Sequence, residues 1–112
     1  MSQVWGIDPG NNGALVMFDS DEGVLNIHDM PLMDVKGKKV ISPNLVTEIL
    51  KQHHCPAFIE RVHAMPGQGV TSMFNFGKGY GIILGVLAGL EMPINIVNPT
   101  TWQTYLKVQR GK

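Results

Sequence analysis

The sequence predicts an α/β domain: a mixed five-stranded sheet with flanking helices, in the order β-β-β-α-β-α-β-α. Three observations predict it. The chain opens with short apolar runs separated by tight turn clusters, the pattern of an antiparallel meander. From Ser42 onward, helical stripes alternate with short apolar strands. The 112 residues are 44% apolar, enough for one core, and no repeat, low-complexity segment or linker divides them, so residues 1–112 read as a single domain.

Val4 to Asp8 reads as the first strand and Pro9-Gly10-Asn11-Asn12-Gly13 as a turn. Ala14 to Asp19 is the second strand, Asp21-Glu22-Gly23 turns the chain, and Val24 to His28 is the third. Lys36-Gly37-Lys38-Lys39 reads as a basic loop. Ser42-Pro43 then opens a helix as N-cap and first residue, with Leu45, Val46, Ile49 and Leu50 as its apolar stripe and His53-His54 at its end. Neighbouring histidines on a helix point apart, which favours a structural role over a metal. Ala57 to Val62 is the fourth strand. After a loop from His63 to Val70, Thr71 or Ser72 caps a long helix reaching about Leu90. Ile94 to Val97 is the fifth strand, and Asn98-Pro99 starts a short helix through Trp102, Tyr105 and Leu106.

Net charge is zero but unevenly spread. Residues 1–34 hold six acids and no Lys or Arg, whereas residues 35–112 hold nine basic residues and three acids. A basic surface facing an anion fits that asymmetry, as does chance clustering on a solvated face. Cys55 is the only cysteine, which excludes an internal disulfide and points to a buried, reduced thiol in a cytoplasmic protein. No signal-peptide pattern opens the chain. The longest apolar run, Ile82 to Leu90, is too short to span a bilayer.

Two carboxylates, 52 positions apart, carry the chemistry. Asp8 and Glu60 each stand alone in a run that otherwise reads as buried strand. A charge there is costly unless paired or bound to a cation. If the two strands are neighbours, both side chains reach one sheet face and share a hard-cation site, the kind that serves phosphoryl transfer. Taken one at a time, Asp8 could simply cap its turn and Glu60 pair with Arg61 or a lysine.

Gly6-Ile7-Asp8-Pro9-Gly10 resembles the first metal-binding strand of RuvC-type Holliday-junction resolvases, in the ribonuclease-H-like superfamily. Ile59-Glu60-Arg61-Val62 is similar to their second acidic strand. Met65-Pro66-Gly67-Gln68-Gly69-Val70, Met73-Phe74-Asn75-Phe76-Gly77 and Tyr80-Gly81 resemble the loop and helix of a phage and bacterial branch, and Val97-Asn98-Pro99-Thr100-Thr101-Trp102 the fifth strand and following helix. The resemblance spans about residues 3–106. It implies a ribonuclease-H-like fold, Asp8 and Glu60 as catalytic metal ligands, and Mg²⁺ or Mn²⁺ as cofactor. It implies a crossover-junction endodeoxyribonuclease that cuts branched DNA in recombination and repair, working as a homodimer. The family carries further acids on a C-terminal helix, but residues 92–112 contain none. The chain is therefore expected to be a piece of a longer protein. It should be nearly inactive alone, with apolar sheet surface uncovered where that helix would lie.

Lys36, Lys38, Lys39, Arg61, His63 and Lys78 are candidate DNA-phosphate contacts, with solvated surface charge as the alternative. Met65, Met73 and Phe74 could wedge into an opened junction, though core packing is the simpler role for Phe74. Gly77, Gly81, Gly85 and Gly89 recur every fourth residue of the long helix, a stripe that could pack on the domain's own sheet or on a partner helix, the sheet being the favoured reading. Its remaining apolar circumference, with Ile82, Ile83, Val86, Leu87 and Leu90, is expected to form a dimer interface. Two other readings stand beside the nuclease: a non-catalytic DNA-binding or dimerising module on the same fold, and a nucleotide-phosphate-binding domain of the sugar-kinase and actin type.

Overall fold

The computed structural model describes residues 2–62, 67 and 69–98. A five-stranded sheet has the order β3-β2-β1-β6-β7. Its strands are β1 (Gln3–Asp8), β2 (Ala14–Asp19), β3 (Gly23–Asp29), β6 (Ala57–Glu60) and β7 (Ile94–Val97). The first three form the antiparallel meander, while β6 pairs parallel to both β1 and β7, so the sheet is mixed. Helices α1 (Pro43–Leu50) and α2 (Val70–Gly89) connect the later strands.

Strand alternation decides the core. Trp5, Ile7, Leu15, Met17, Ala57 and Ile59 share one face and are closed over by Val46 and Leu50 of α1 and Ile83 and Leu87 of α2. On the opposite face Val16 and Phe18 are buried, Val4, Ala14 and Phe58 half-buried, and Ile27 exposed.

Four expectations are corrected. The basic loop is the turn and second strand of a hairpin, β4 (Leu32–Val35) with β5 (Lys38–Ile41). Lys36 and Gly37 form its two-residue turn, both with positive φ (52° and 83°), and Asp34 Oδ1 accepts a bond from the Gly37 N–H at 2.9 Å. Charged strands this short carry little periodic signal. Second, α1 stops at Leu50. Beyond it, single-turn bonds run from Gln52 N to Ile49 O and from His53 N to Leu50 O. Trp5 Nε1 claims the His53 carbonyl at 3.0 Å, and the His53 ring bonds Gln3. Third, α2 begins at Val70 behind Gly69, not behind Thr71 or Ser72. Fourth, Gly77, Gly81, Gly85 and Gly89 face outward, where an added Cβ would meet nothing within 4 Å. Gly79 is the glycine that packs inward: a Cβ there would lie 2.8 Å from Ile41 Cδ1 of the hairpin.

The Ser42 cap on α1 is as expected, its Oγ accepting from Leu45 N. The two histidines do point apart: His54 Nε2 donates to Leu90 O at 3.1 Å, while His53 turns to β1. Cys55 is buried, and burial pushes its thiol pKa up. The helix expected from Asn98-Pro99, including Trp102, lies outside the described residues.

Two outcomes follow from the turns. Gly13 sits under the Asp8 carbonyl, where a Cβ would come within 1.8 Å of that oxygen. Gly13→Ala should cost about 2–3 kcal/mol or more in urea unfolding, because backbone must move. Asp19 closes the β2–β3 turn by accepting from the N–H groups of Asp21 and Glu22 at 2.8 and 3.1 Å. Those bonds hold its pKa below the ordinary 3.8. Its stabilising effect is full above that pH and is lost as pH falls through the lower folded value. Asp19→Asn should flatten the acid limb of a stability–pH curve; an unchanged limb would assign the acid loss to other groups.

Candidate functional site

The pairing of β1 with β6 assembles the site. Trp5, Gly6 and Ile7 stand opposite Ala57, Phe58 and Ile59 in parallel register. Asp8 and Glu60 are the next residues on the two strands, and each ends its strand. Parallel neighbours lie about 4.8 Å apart. Ile7 and Ile59 are fully buried beneath the helices. Alternation therefore turns Asp8 and Glu60 to the other face, side by side at the carboxyl edge of the sheet. Asp8 is exposed and Glu60 half-buried. The parallel register thus makes Asp8 and Glu60 neighbours across β1 and β6.

The turn after Asp8 is held from several sides. Gly13 N donates to Gly10 O at 3.1 Å, and Met30 N donates to Gly13 O at 3.0 Å. Gly10 has φ of +111°, and a Cβ there would come 3.2 Å from the Phe76 ring of α2. Asn11 Nδ2 donates to the Lys39 carbonyl of the hairpin at 2.9 Å. The turn is therefore tied to β3, α2 and the hairpin at once, which limits how far the Asp8 backbone can drift.

The basic residues divide into two groups. Arg61 follows Glu60, exposed, its N–H bonded to Val97 O at 2.7 Å. Burial pushes the Tyr80 hydroxyl pKa up, and the guanidinium of Arg61 partly opposes that shift, so Arg61 lies toward α2. Lys36, Lys38 and Lys39 stand on the hairpin and Lys78 on α2, all exposed. Lys39 and Lys78 line a shared small cleft with Asn11 and Asn75. The two asparagines went unread in the sequence, where the Asn11-Asn12 pair signalled only a turn. His63 and Met65 lie outside the described residues. Phe74 is 68% exposed, which corrects the core role expected of it.

Of the residues expected at a dimer interface, Ile83 and Leu87 are buried in this chain's own core and have no surface left to share. Ile82, Val86 and Leu90 are half-buried. Hard oxygen donors such as Asp8 and Glu60 suit Mg²⁺ or Mn²⁺ in kind. In number they fall short: among the described residues no three His, Cys, Asp or Glu side chains cluster as a metal cage. None of the described helices is long and apolar enough to cross a membrane.

No protein-family model matches the chain, and no curated protein does. Among solved structures, T. thermophilus RuvC in complex with a Holliday junction substrate is similar, with TM-score 0.64 and 14% identity over 89% of this chain and 66% of that one. A second Thermus thermophilus RuvC structure is 16% identical, covering 87% of this chain and 64% of that one, with TM-score 0.49. This chain spans about two thirds of the length of the RuvC chains it resembles. At this identity the likeness speaks to architecture: the mixed five-stranded sheet with flanking helices is the ribonuclease-H-like fold of RuvC.

Proposed function

We propose that the chain is the nuclease domain of a metal-dependent, structure-selective DNA endonuclease of the Holliday-junction resolvase type, in the phage and bacterial branch. One observation carries the reading: Asp8 and Glu60 end adjacent parallel strands, side by side on one face. The likeness to RuvC, whose solved complex contains a Holliday junction, supports branched DNA as the substrate. Asp8 and Glu60 are the residues that would hold the Mg²⁺ or Mn²⁺. When bound, such an ion supplies charge stabilisation for phosphodiester hydrolysis and a more acidic water. The chain's own contribution is position: the Gly10–Gly13 turn fixes Asp8, and the β6–β7 pairing fixes Glu60. Lys36, Lys38, Lys39, Arg61, His63 and Lys78 hold DNA phosphates around the pair. The proposed compartment is the cytoplasm.

Two carboxylates gain little from a hydrated Mg²⁺, so the 112-residue chain should cut slowly, further acidic ligands being needed to complete the site. The shortage of clustered ligands favours a second reading, a non-catalytic DNA-binding module on the same fold. A gel assay on a four-way junction and a linear duplex, with and without Mg²⁺, separates the two. The nuclease reading expects Mg²⁺-dependent cutting of the junction in preference to the duplex. Asp8→Asn and Glu60→Gln should each lower it by roughly 100-fold or more. Junction binding without cutting, indifferent to both substitutions, would establish the module instead.

We also propose a homodimer formed through the outward face of α2. Val70 and Phe74 are exposed there, in line with the outward glycines. Such a face lets a second helix approach closely. Gly81→Leu has room in the monomer, so folding should survive while dimer affinity measured by sedimentation falls about tenfold or more, a loss of about 1.4 kcal/mol. A wild-type chain that stays monomeric at high concentration would remove the dimer from the reading.

A further inference from the structure

The hairpin β4–β5 stands outside the five-stranded sheet, yet it is fixed to the rest of the molecule at two points. Ile41 sits against Gly79 so closely that a Cβ at residue 79 would lie 2.8 Å from it. The Lys39 carbonyl accepts from Asn11 in the turn that follows Asp8. Between these two points a cleft with room of about 50 Å³ opens against α2. Its polar lining is Asn11, Lys39, Asn75 and Lys78: two cations, two amides and no carboxylate.

We propose that this cleft seats one phosphate of a nucleic-acid backbone, gripped jointly by Lys39 from the hairpin and Lys78 from α2. The inference rests on the DNA reading above and deepens it. The room equals a few water-sized groups, enough for the oxygens of a phosphate. Amide N–H groups and ammonium ions are donors only toward an anion, which suits phosphate oxygens. Lys39 Nζ lies 3.6 Å from Asp34 Oδ2, with both side chains largely exposed. An exposed pair of that kind is weak, so the ammonium can turn to a phosphate. The turn itself places Lys36 at positive φ, where asparagine or glycine is favoured, and so adds a third cation at the hairpin tip. The hairpin thereby acts as a basic clamp beside the turn that carries Asp8, setting the strand's path past the carboxylates.

The test is fluorescence anisotropy of a labelled four-way junction without divalent metal, over about 50 to 200 mM salt. Wild type, Lys39→Gln, Lys78→Gln and the double variant are compared, with Lys51→Gln at the C-cap of α1 as control. Circular dichroism confirms that each variant folds. If both lysines hold one phosphate, the double variant lowers the slope of log affinity against log salt by about 0.9, one phosphate's worth. Lys51→Gln leaves the slope unchanged. A fall of about 1.8 would assign the lysines to separate phosphates and overturn the shared site, as would no change at all. Should wild type retain no DNA, the nuclease reading fails, and titration with inorganic phosphate judges the cleft through its backbone amide NMR shifts. Saturable shifts at Asn75 and Lys78 would then overturn the nucleic-acid source while keeping a phosphate site; absent shifts would overturn the site itself.

Discussion

The three-residue parallel pairing of β1 with β6 is the constraint on which the rest depends. It joins the N-terminal meander to the α/β half of the chain across about fifty residues of sequence. Trp5, Ile7, Ala57 and Ile59, all fully buried on its helix side, anchor the core. The same register brings Asp8 level with Glu60 on the other side. A slip by one residue would turn every side chain of a strand to the opposite face. It would put a carboxylate under α2 and an isoleucine in water. Core and candidate site therefore protect one another: the burial of Ile7 and Ile59 enforces the pairing of the acids.

The connections do more than link strands. The turn from Pro9 to Gly13 touches β3 through Met30, α2 through Phe76 and the hairpin through Asn11. Asp34 is split between turn and surface, one oxygen accepting from Gly37 and the other facing Lys39. Asp19 closes its own turn through Oδ1, while its Oδ2 accepts from the Gln3 side chain of β1 at 3.5 Å. The acids crowded into residues 1–34 thus have separate uses. Asp19 and Asp34 shape loops, whereas Asp8 stands exposed at a strand end with the backbone held behind it.

Much of this was legible in the sequence, for identifiable reasons. The meander showed because Pro-Gly-Asn-Asn-Gly and Asp-Glu-Gly punctuate apolar runs, and the parallel half because Ser42-Pro43 marks a helix start. Asp8 and Glu60 stood out because a charge in an apolar strand is costly. The hairpin did not show: its turn is Lys-Gly in place of the usual Asn-Gly, and Asp34, Lys38 and Lys39 break any alternation. Asn11 and Asn75 meet only through tertiary contact, so no spacing could reveal the cleft they line. The end of α1 was missed because Trp5 and Gln3, nearly fifty residues away, capture His53. Local propensity carries no trace of such a partner.

The long helix shows how one element is divided among neighbours. Its Ile83 and Leu87 belong to the core, Asn75 and Lys78 to the cleft, and Gly79 to the hairpin. Gly79 has a reason inside this chain, since a Cβ there would force the end of the Ile41 side chain to move. Gly77, Gly81, Gly85 and Gly89 have none: nothing described lies near them, and alanine would fit at each. Each glycine costs a helix interior up to about 1 kcal/mol against alanine, so Gly77, Gly81 and Gly85, all inside α2, together weaken it by as much as about 3 kcal/mol. In a small domain that is a large share of a typical folding stability. Among the described residues, the monomer's own contacts do not offset that cost. A backbone approaching from outside along the same stripe would, because there the missing side chains become the contact, which is the physical basis for the proposed dimer face.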